Sequence, residues 1–380
     1  MALPYDFKTK AMRDLSYEIA LMLVPGIGCR SARILLDLYP TAEDVYKLSD
    51  SELKQVFGDH RTVIETIRDK STLARAEEEL NYAEKHHIKV LHFKDDDYPK
   101  RLNRAGCEDC PIILYTMGTA NLNASRVVAV VGTRRATSYG HEVTHRLISK
   151  FKGEGILVVS GLAYGIDTAA HSESLAAGLD TVGVLGHGLD RIYPSQNRNL
   201  AKQMLERGGL VTEYMHGTAI NPSYFPARNR IIAAMADATV VVEASERGGA
   251  LITANMAMGY HRDVLAVPGP WGATYSVGCN NLIAGNKAAL LRKADDLFDT
   301  LGWERLTTTE AKQMELPMPD DIKNPVERAI VEILQAEGPL ETDQIVAKTR
   351  RTLPEVASAL LSLELADRCK CLPGKIYKLI

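Results

Sequence analysis

The chain has 380 residues, 46% of them hydrophobic and 24% charged, with 28 glycines and 16 prolines. That length suits two or three domains, and that composition excludes a disordered, collagen-like or low-complexity chain. A net charge of −3 excludes a globally basic nucleic-acid coat, so any polyanion site must be a local patch. No apolar run reaches the roughly 18–20 residues of a bilayer span, because VVAVVG, ILVVSG and VLAVPG are each cut short. The opening MALPYDFKTKAMRDL lacks the apolar core of a secretory signal, and six cysteines do not make a disulfide framework. A reducing cytoplasm and no membrane partner are expected.

Residues 1–70 read as a helical domain of short helices with polar joints. DLSYEIALML and CRSARILLDLY flank a tight VPGIG turn, and Thr41 with Asp44 and Ser49 with Glu52 have capping-box spacing. STLARAEEELNYAEKHH then opens a second region, 71–302, as a longer helix. Beyond it the period changes. Strands are expected at 127–131, 156–160, 181–185, 210–213, 238–243 and 263–267, with helical stretches such as HEVTHRLISKFKGEG and ARNRIIAAMADA between them. Strands apolar almost throughout, alternating with helices, predict an α/β, Rossmann-like domain: a mostly parallel sheet with helices on both faces. IKVLHF and IILYTMG either extend its edge or lead into it.

Residues 303–321, polar and with two prolines, read as a linker. Across 322–380, three helical stretches (NPVERAIVEILQAEG, ETDQIVAKTRR, LPEVASALLSLELADR) precede KCLPGKIYKLI, a hairpin around Pro373 and Gly374. Three helices and a terminal hairpin outline a winged helix. Its nine Lys and Arg against eight Asp and Glu, and the absence of any basic residue in LPEVASALLSLEL, favour protein contact or fold stabilisation at least as much as base readout.

Arginines and glycines recur where strands end. Arg134 and Arg135 follow one strand, Gly161, Gly165 and Asp167 the next, and Gly186, Gly188, Arg191 and Arg198 the third. Arg228 and Arg230 flank Asn229 at the mouth of another helix, and Arg247, Gly248 and Gly249 precede a further one. In open α/β sheets the ligand crevice lies at those strand ends, where helix N-termini and arginines together suit phosphate. The turns are not GxGxxG, so a dinucleotide is disfavoured, and no GxSxG, HExxH or GxxxxGK[ST] occurs. Asp167 and His171, four apart, are either an acid–base pair or a cap beside a hydrogen-bonded histidine. Glu213 and Glu243 are either a catalytic carboxylate pair or buried partners of the arginines. Gly26 and Gly28 either present N–H groups to a phosphate or simply reverse two helices. Cys107, Cys110, Cys369 and Cys371 read as incidental thiols rather than zinc ligands, and no metal is expected.

In this order and spacing, VAVVGTRRATSYG, VVSGLAYGIDTAAH, GHGLDRIYPSQN, TEY, FPARNRIIAAMAD, GGALITANMAMGYHRDVLAVPG and GCNNLI resemble the DprA/Smf family of DNA-processing proteins over about 95–300. The N-terminal helices look like the family's SAM-like or helix-hairpin-helix extension, and the tail like its winged-helix domain. The resemblance implies a bacterial cytoplasmic protein, without enzymatic activity or cofactor, that binds incoming single-stranded DNA in natural transformation. It would protect that strand and load RecA recombinase onto it, as a dimer or larger assembly. Carried over by motif, the DNA contacts fall on Arg134, Gly161, Gly165, Arg198, Arg228 and Arg230; Tyr164, Gly248 and Gly249 are expected beside them, and Gly26 and Gly28, read from their own turn, as additional phosphate contacts. Tyr164 and Ser195 stand where the family often has Lys, and Gly248 where Ser is common; Tyr164 would offset one lost cation by stacking on a base. Two rivals remain: a nucleotide or nucleoside-phosphate hydrolase using Glu213 or Glu243, and a winged-helix regulator of duplex DNA.

Overall fold

The computed structural model describes residues 15–306 and 324–379, except 70, 105, 367, 373 and 374. Most of the expected linker, the turn at Pro373 and Gly374, and the segment 1–14 lie outside the described residues. The chain divides into two compact units between Leu306 and Thr307.

The first unit begins with helices α1 (15–22), α2 (Cys29–Leu38), α3 (Ala42–Lys47), α4 (Asp50–Phe57), α5 (Arg61–Arg68) and α6 (Ser71–Lys85). Both capping boxes form: the Thr41 and Ser49 hydroxyls accept from the amides of Asp44 and Glu52, whose carboxylates accept from the cap amides. Helix α6 packs Ala76, Leu80 and Ala83 into the same core as Ile19, Leu21 and Leu35 of α1 and α2. Ile113 and Tyr115 of the neighbouring sheet edge close that core from below.

Nine strands follow: β1 (Lys89–His92), β2 (Ile113–Gly118), β3 (Arg126–Val131), β4 (Ile156–Ser160), β5 (Thr181–Val184), β6 (Gly208–Thr212), β7 (Ala238–Val241), β8 (Asp263–Ala266) and β9 (Ala289–Leu290). Helices α7 (Ser138–Ser149), α8 (Ile166–Ala177), α9 (Arg198–Glu206), α10 (Tyr224–Met235), α11 (Gly249–Gly259), α12 (Val277–Ala284) and α13 (Ala294–Leu301) alternate with strands β3 to β9. The sheet order is β1-β2-β6-β5-β4-β3-β7-β8-β9. All pairings from β6 to β9 are parallel, whereas β1 and β2 add on antiparallel at the β6 edge. IKVLHF and IILYTMG thus extend the sheet.

Alternation along β3 explains why both faces are covered. Val127, Ala129 and Val131 pack against Ile231 and Ala254 of α10 and α11. Val128 and Val130 pack oppositely, against Leu147 and Ile166 of α7 and α8. Each valine, leucine or isoleucine among them contributes about 1.5–3 kcal/mol on burial. From β3 the chain steps outward through β4, β5 and β6, then returns to lay β7 on the other side of β3. This reversal opens a crevice at the carboxyl ends of β3 and β7.

The second unit contains α14 (Pro325–Glu337), β10 (Leu340–Glu341), α15 (Thr342–Thr349), α16 (Leu353–Leu365), β11 (Cys369–Leu372) and β12 (Ile376–Leu379). Its three strands run β10-β12-β11 around a core of Ile330, Leu334, Ile345, Val356 and Leu360, the plan of a winged helix. Among the described residues no helix is long and apolar enough to cross a membrane.

Candidate nucleic-acid interface

A pocket of about 330 Å3 opens at the β3/β7 reversal. Its walls are the turn after β3 (Gly132 to Arg134), Ala163 and Asp167 after β4, the first turns of α10, and Ala244, Ser245 and Gly248 to Ala250 after β7.

Arg228 of α10 forms the floor and is only 3% exposed. It donates to the carbonyls of Gly161 (2.8 Å) and Val184 and to Asn229 Oδ1 (3.2 Å). Among the described residues no carboxylate lies within ion-pair distance of it. Burial pulls its pKa down to about 10, with the Asp167 charge opposing. Asp167 instead accepts the N–H groups of Gly161 (3.2 Å) and Ala163 (3.3 Å), and burial raises its pKa against the pull of Arg228. A guanidinium buried without an ion partner is costly, and an anion in the pocket would relieve that cost.

Arg134 stands exposed at the rim, its guanidinium 5.8 Å from the Phe225 ring, with no carboxylate partner among the described residues. Tyr193 flanks the same ring at 5.5 Å. Across the pocket, Gly248 caps α11 without a side-chain hydrogen bond, and the backbone of Gly248, Gly249 and Ala250 lines the cavity. The positive end of an eleven-residue helix therefore faces the same space as both arginines.

Two glycines of the SGLAYGID turn are needed for packing. A Cβ on Gly161 would lie 2.6 Å from Asp167 Oδ2 and 2.7 Å from Arg228 Nη2. Gly165 has φ +76, and a Cβ there would sit 2.2 Å from the Thr133 carbonyl, so only glycine lets α8 start against the turn that carries Arg134. Because Asp167 takes the Gly161 amide, that N–H serves the pocket's frame rather than a ligand.

Arg198, at the start of α9, is exposed and without a carboxylate partner among the described residues. Beside it, the exposed Tyr164 donates its hydroxyl to Gln196 Oε1 at 2.5 Å. Both lie on the carboxyl edge of the sheet, outside the pocket itself. Gly26, whose φ of +95 requires glycine, and Gly28, at the N-cap of α2, are exposed on the α1–α2 turn and do not line the pocket.

The structure sets one expected contact apart from the pocket and decides between two pairs of readings that the sequence left open. Arg230 does not face the pocket: it forms a two-pronged pair with Glu213 (2.5 and 2.6 Å) and donates to the Asp109 carbonyl. Burial alone would lower its pKa, but Glu213 holds it above the ordinary arginine value. With Glu213 engaged there, and Glu243 accepting the Thr137 amide (2.9 Å) and hydroxyl (2.5 Å) to hold the start of α7, the two glutamates form no catalytic pair. Nor do Asp167 and His171 couple: His171 Nδ1 lies 2.7 Å from Thr181 Oγ1 in full burial, which drives its pKa down to about 3. Cys107 and Cys110 belong to the first unit, Cys369 and Cys371 to the second, and no metal-ligating cluster occurs among the described residues. Phe225 escaped the sequence reading, although it opens the FPARNR motif; its role depends on the rim being near.

Residues 89–302 match the family model for DNA recombination-mediator protein A, and 314–375 match that for the DprA winged helix domain. Protein Smf from Synechocystis is 32% identical over 97% of this chain and 99% of its own length. The X-ray structure of DNA processing protein A from Streptococcus pneumoniae superposes with a TM-score of 0.64 at 31% identity, covering 75% of this chain and 97% of that one. DNA processing protein A from Helicobacter pylori, whose structure addresses its single-stranded DNA binding mode, gives a TM-score of 0.52 at 26% identity over 57% and 97%.

Proposed function

Because this chain belongs to the DprA/Smf family of DNA-processing proteins, we propose that it binds single-stranded DNA along the carboxyl edge of its sheet, without turnover. It protects that strand in the cytoplasm and passes it to RecA recombinase during natural transformation, working as a homodimer or larger assembly. The observation that carries the DNA reading is Arg228, a buried guanidinium with no ion-pair partner among the described residues, beneath a pocket rimmed by Arg134 and by the uncapped start of α11. These groups hold phosphate and carry no base code, so little sequence preference is expected. The Helicobacter pylori relative's single-strand binding mode supports the same polymer here.

Fluorescence anisotropy of labelled single- and double-stranded oligonucleotides across a salt series tests the reading. Preference for the single strand is expected, with log K falling by roughly 0.7 per phosphate contact for each tenfold rise in salt. Equal or tighter duplex binding would move the site elsewhere. For the RecA step, the protein should shorten the lag of RecA filament assembly on a strand already covered by single-strand-binding protein; an unchanged lag would remove that step.

A further inference from the structure

Four large aromatic side chains are exposed among the described residues: Tyr139, Tyr164, Tyr193 and Trp271. All four stand on segments that leave the carboxyl ends of strands, following β3, β4, β5 and β8 in turn. In sheet order they run Tyr193, Tyr164, Tyr139, Trp271, with the β3/β7 pocket between the last two. At one strand width per step, β5 to β8 spans roughly 19 Å.

Trp271 is the extreme case. It is 103% exposed, in a loop whose far end is fastened to Ala244 of the pocket wall. The Ala244 amide donates to the Tyr275 carbonyl (2.7 Å), and the Gly278 amide donates to the Ala244 carbonyl (2.9 Å). On the near side Tyr139 donates its hydroxyl to the Pro268 carbonyl (2.7 Å). A tethered loop that presents an indole to water gives up the burial that would normally reward so large a ring.

We propose that Trp271, with the three exposed tyrosines, forms a base-stacking track that carries a single strand across the sheet edge on both sides of the phosphate pocket. The proposal rests on the single-strand reading above. Exposed rings on four separate strand ends, interleaved with Arg134 and Arg198, which have no carboxylate partner among the described residues, suit successive unstacked bases better than a continuous apolar protein face. Every base offers a π-face, so such a track adds affinity without sequence preference.

Only two tryptophans occur in the chain, and the second, Trp303, packs beside Phe298 and under Arg126. Indole emission of the full-length protein therefore reports on Trp271 once W303F removes the other signal. The probes are an oligodeoxythymidylate and an abasic oligonucleotide of equal length, each followed by anisotropy as well. Oligodeoxythymidylate should quench Trp271, and W271A should weaken its binding roughly 5- to 100-fold while abasic binding is unchanged. If W271A binds oligodeoxythymidylate as tightly as the parent and the emission stays constant despite binding by anisotropy, the track is refuted and the pocket reading stands. If anisotropy detects no binding at all, both fall together.

Discussion

Arg134 and Arg228 carry the same charge but should fail differently when removed. Arg134 is exposed and, apart from its contact with the Phe225 ring, makes no ion pair among the described residues, so Arg134→Ala should lower single-strand affinity roughly ten- to hundredfold with little change in the denaturation midpoint. Arg228 ties the ends of β4 and β5 through the Gly161 and Val184 carbonyls. Arg228→Ala should therefore cost roughly 1.5–3 kcal/mol in urea unfolding as well as affinity. His171 adds a pH dependence. Held neutral by burial with a pKa of about 3, against roughly 6.5 in an unfolded chain, it contributes stability fully above pH 6.5. That contribution is lost as pH falls toward 3, because the unfolded chain takes up the proton first. Between pH 7.5 and 4.5 the parent should lose on the order of 2–3 kcal/mol more than His171→Asn; parallel pH profiles would contradict this.

Helix α10 shows what one element can and cannot deliver. Residues two apart on a helix lie on different faces, so Arg228 and Arg230 cannot both reach the pocket. The FPARNR string alone does not say which one turns inward; the neighbouring Glu213 decides it. Strand positions, by contrast, were legible, because runs such as VVAVV and ILVVS are buried on both faces and leave no other period to read. The capping boxes were equally legible, being local chemistry at fixed spacing. Gly165 was visible as a motif residue, but its cause lies in a different loop, 2.2 Å from where its Cβ would stand. Gly165→Ala should push apart the α8 start and the Arg134 turn, costing about 1–3 kcal/mol in stability and lowering DNA affinity with it. A variant with both properties unchanged would show that the turn is softer than its geometry implies.

Across the whole molecule, each unit has its own core, and the pocket arginines, the α11 terminus and the four exposed rings all belong to the first. Deleting 307–380 should leave single-strand affinity little changed; a large loss would assign binding to the winged helix, whose α16 bears no basic residue. The path of the strand over the first unit can be read directly by photo-crosslinking a single strand that carries 4-thiothymidine and locating the attachment sites by mass spectrometry. Crosslinks are expected in the segments after β3, β4, β5, β7 and β8, around residues 134, 164, 193, 248 and 271. Crosslinks confined to the α1–α2 turn or to residues 324–379 would contradict a strand bound along the sheet edge.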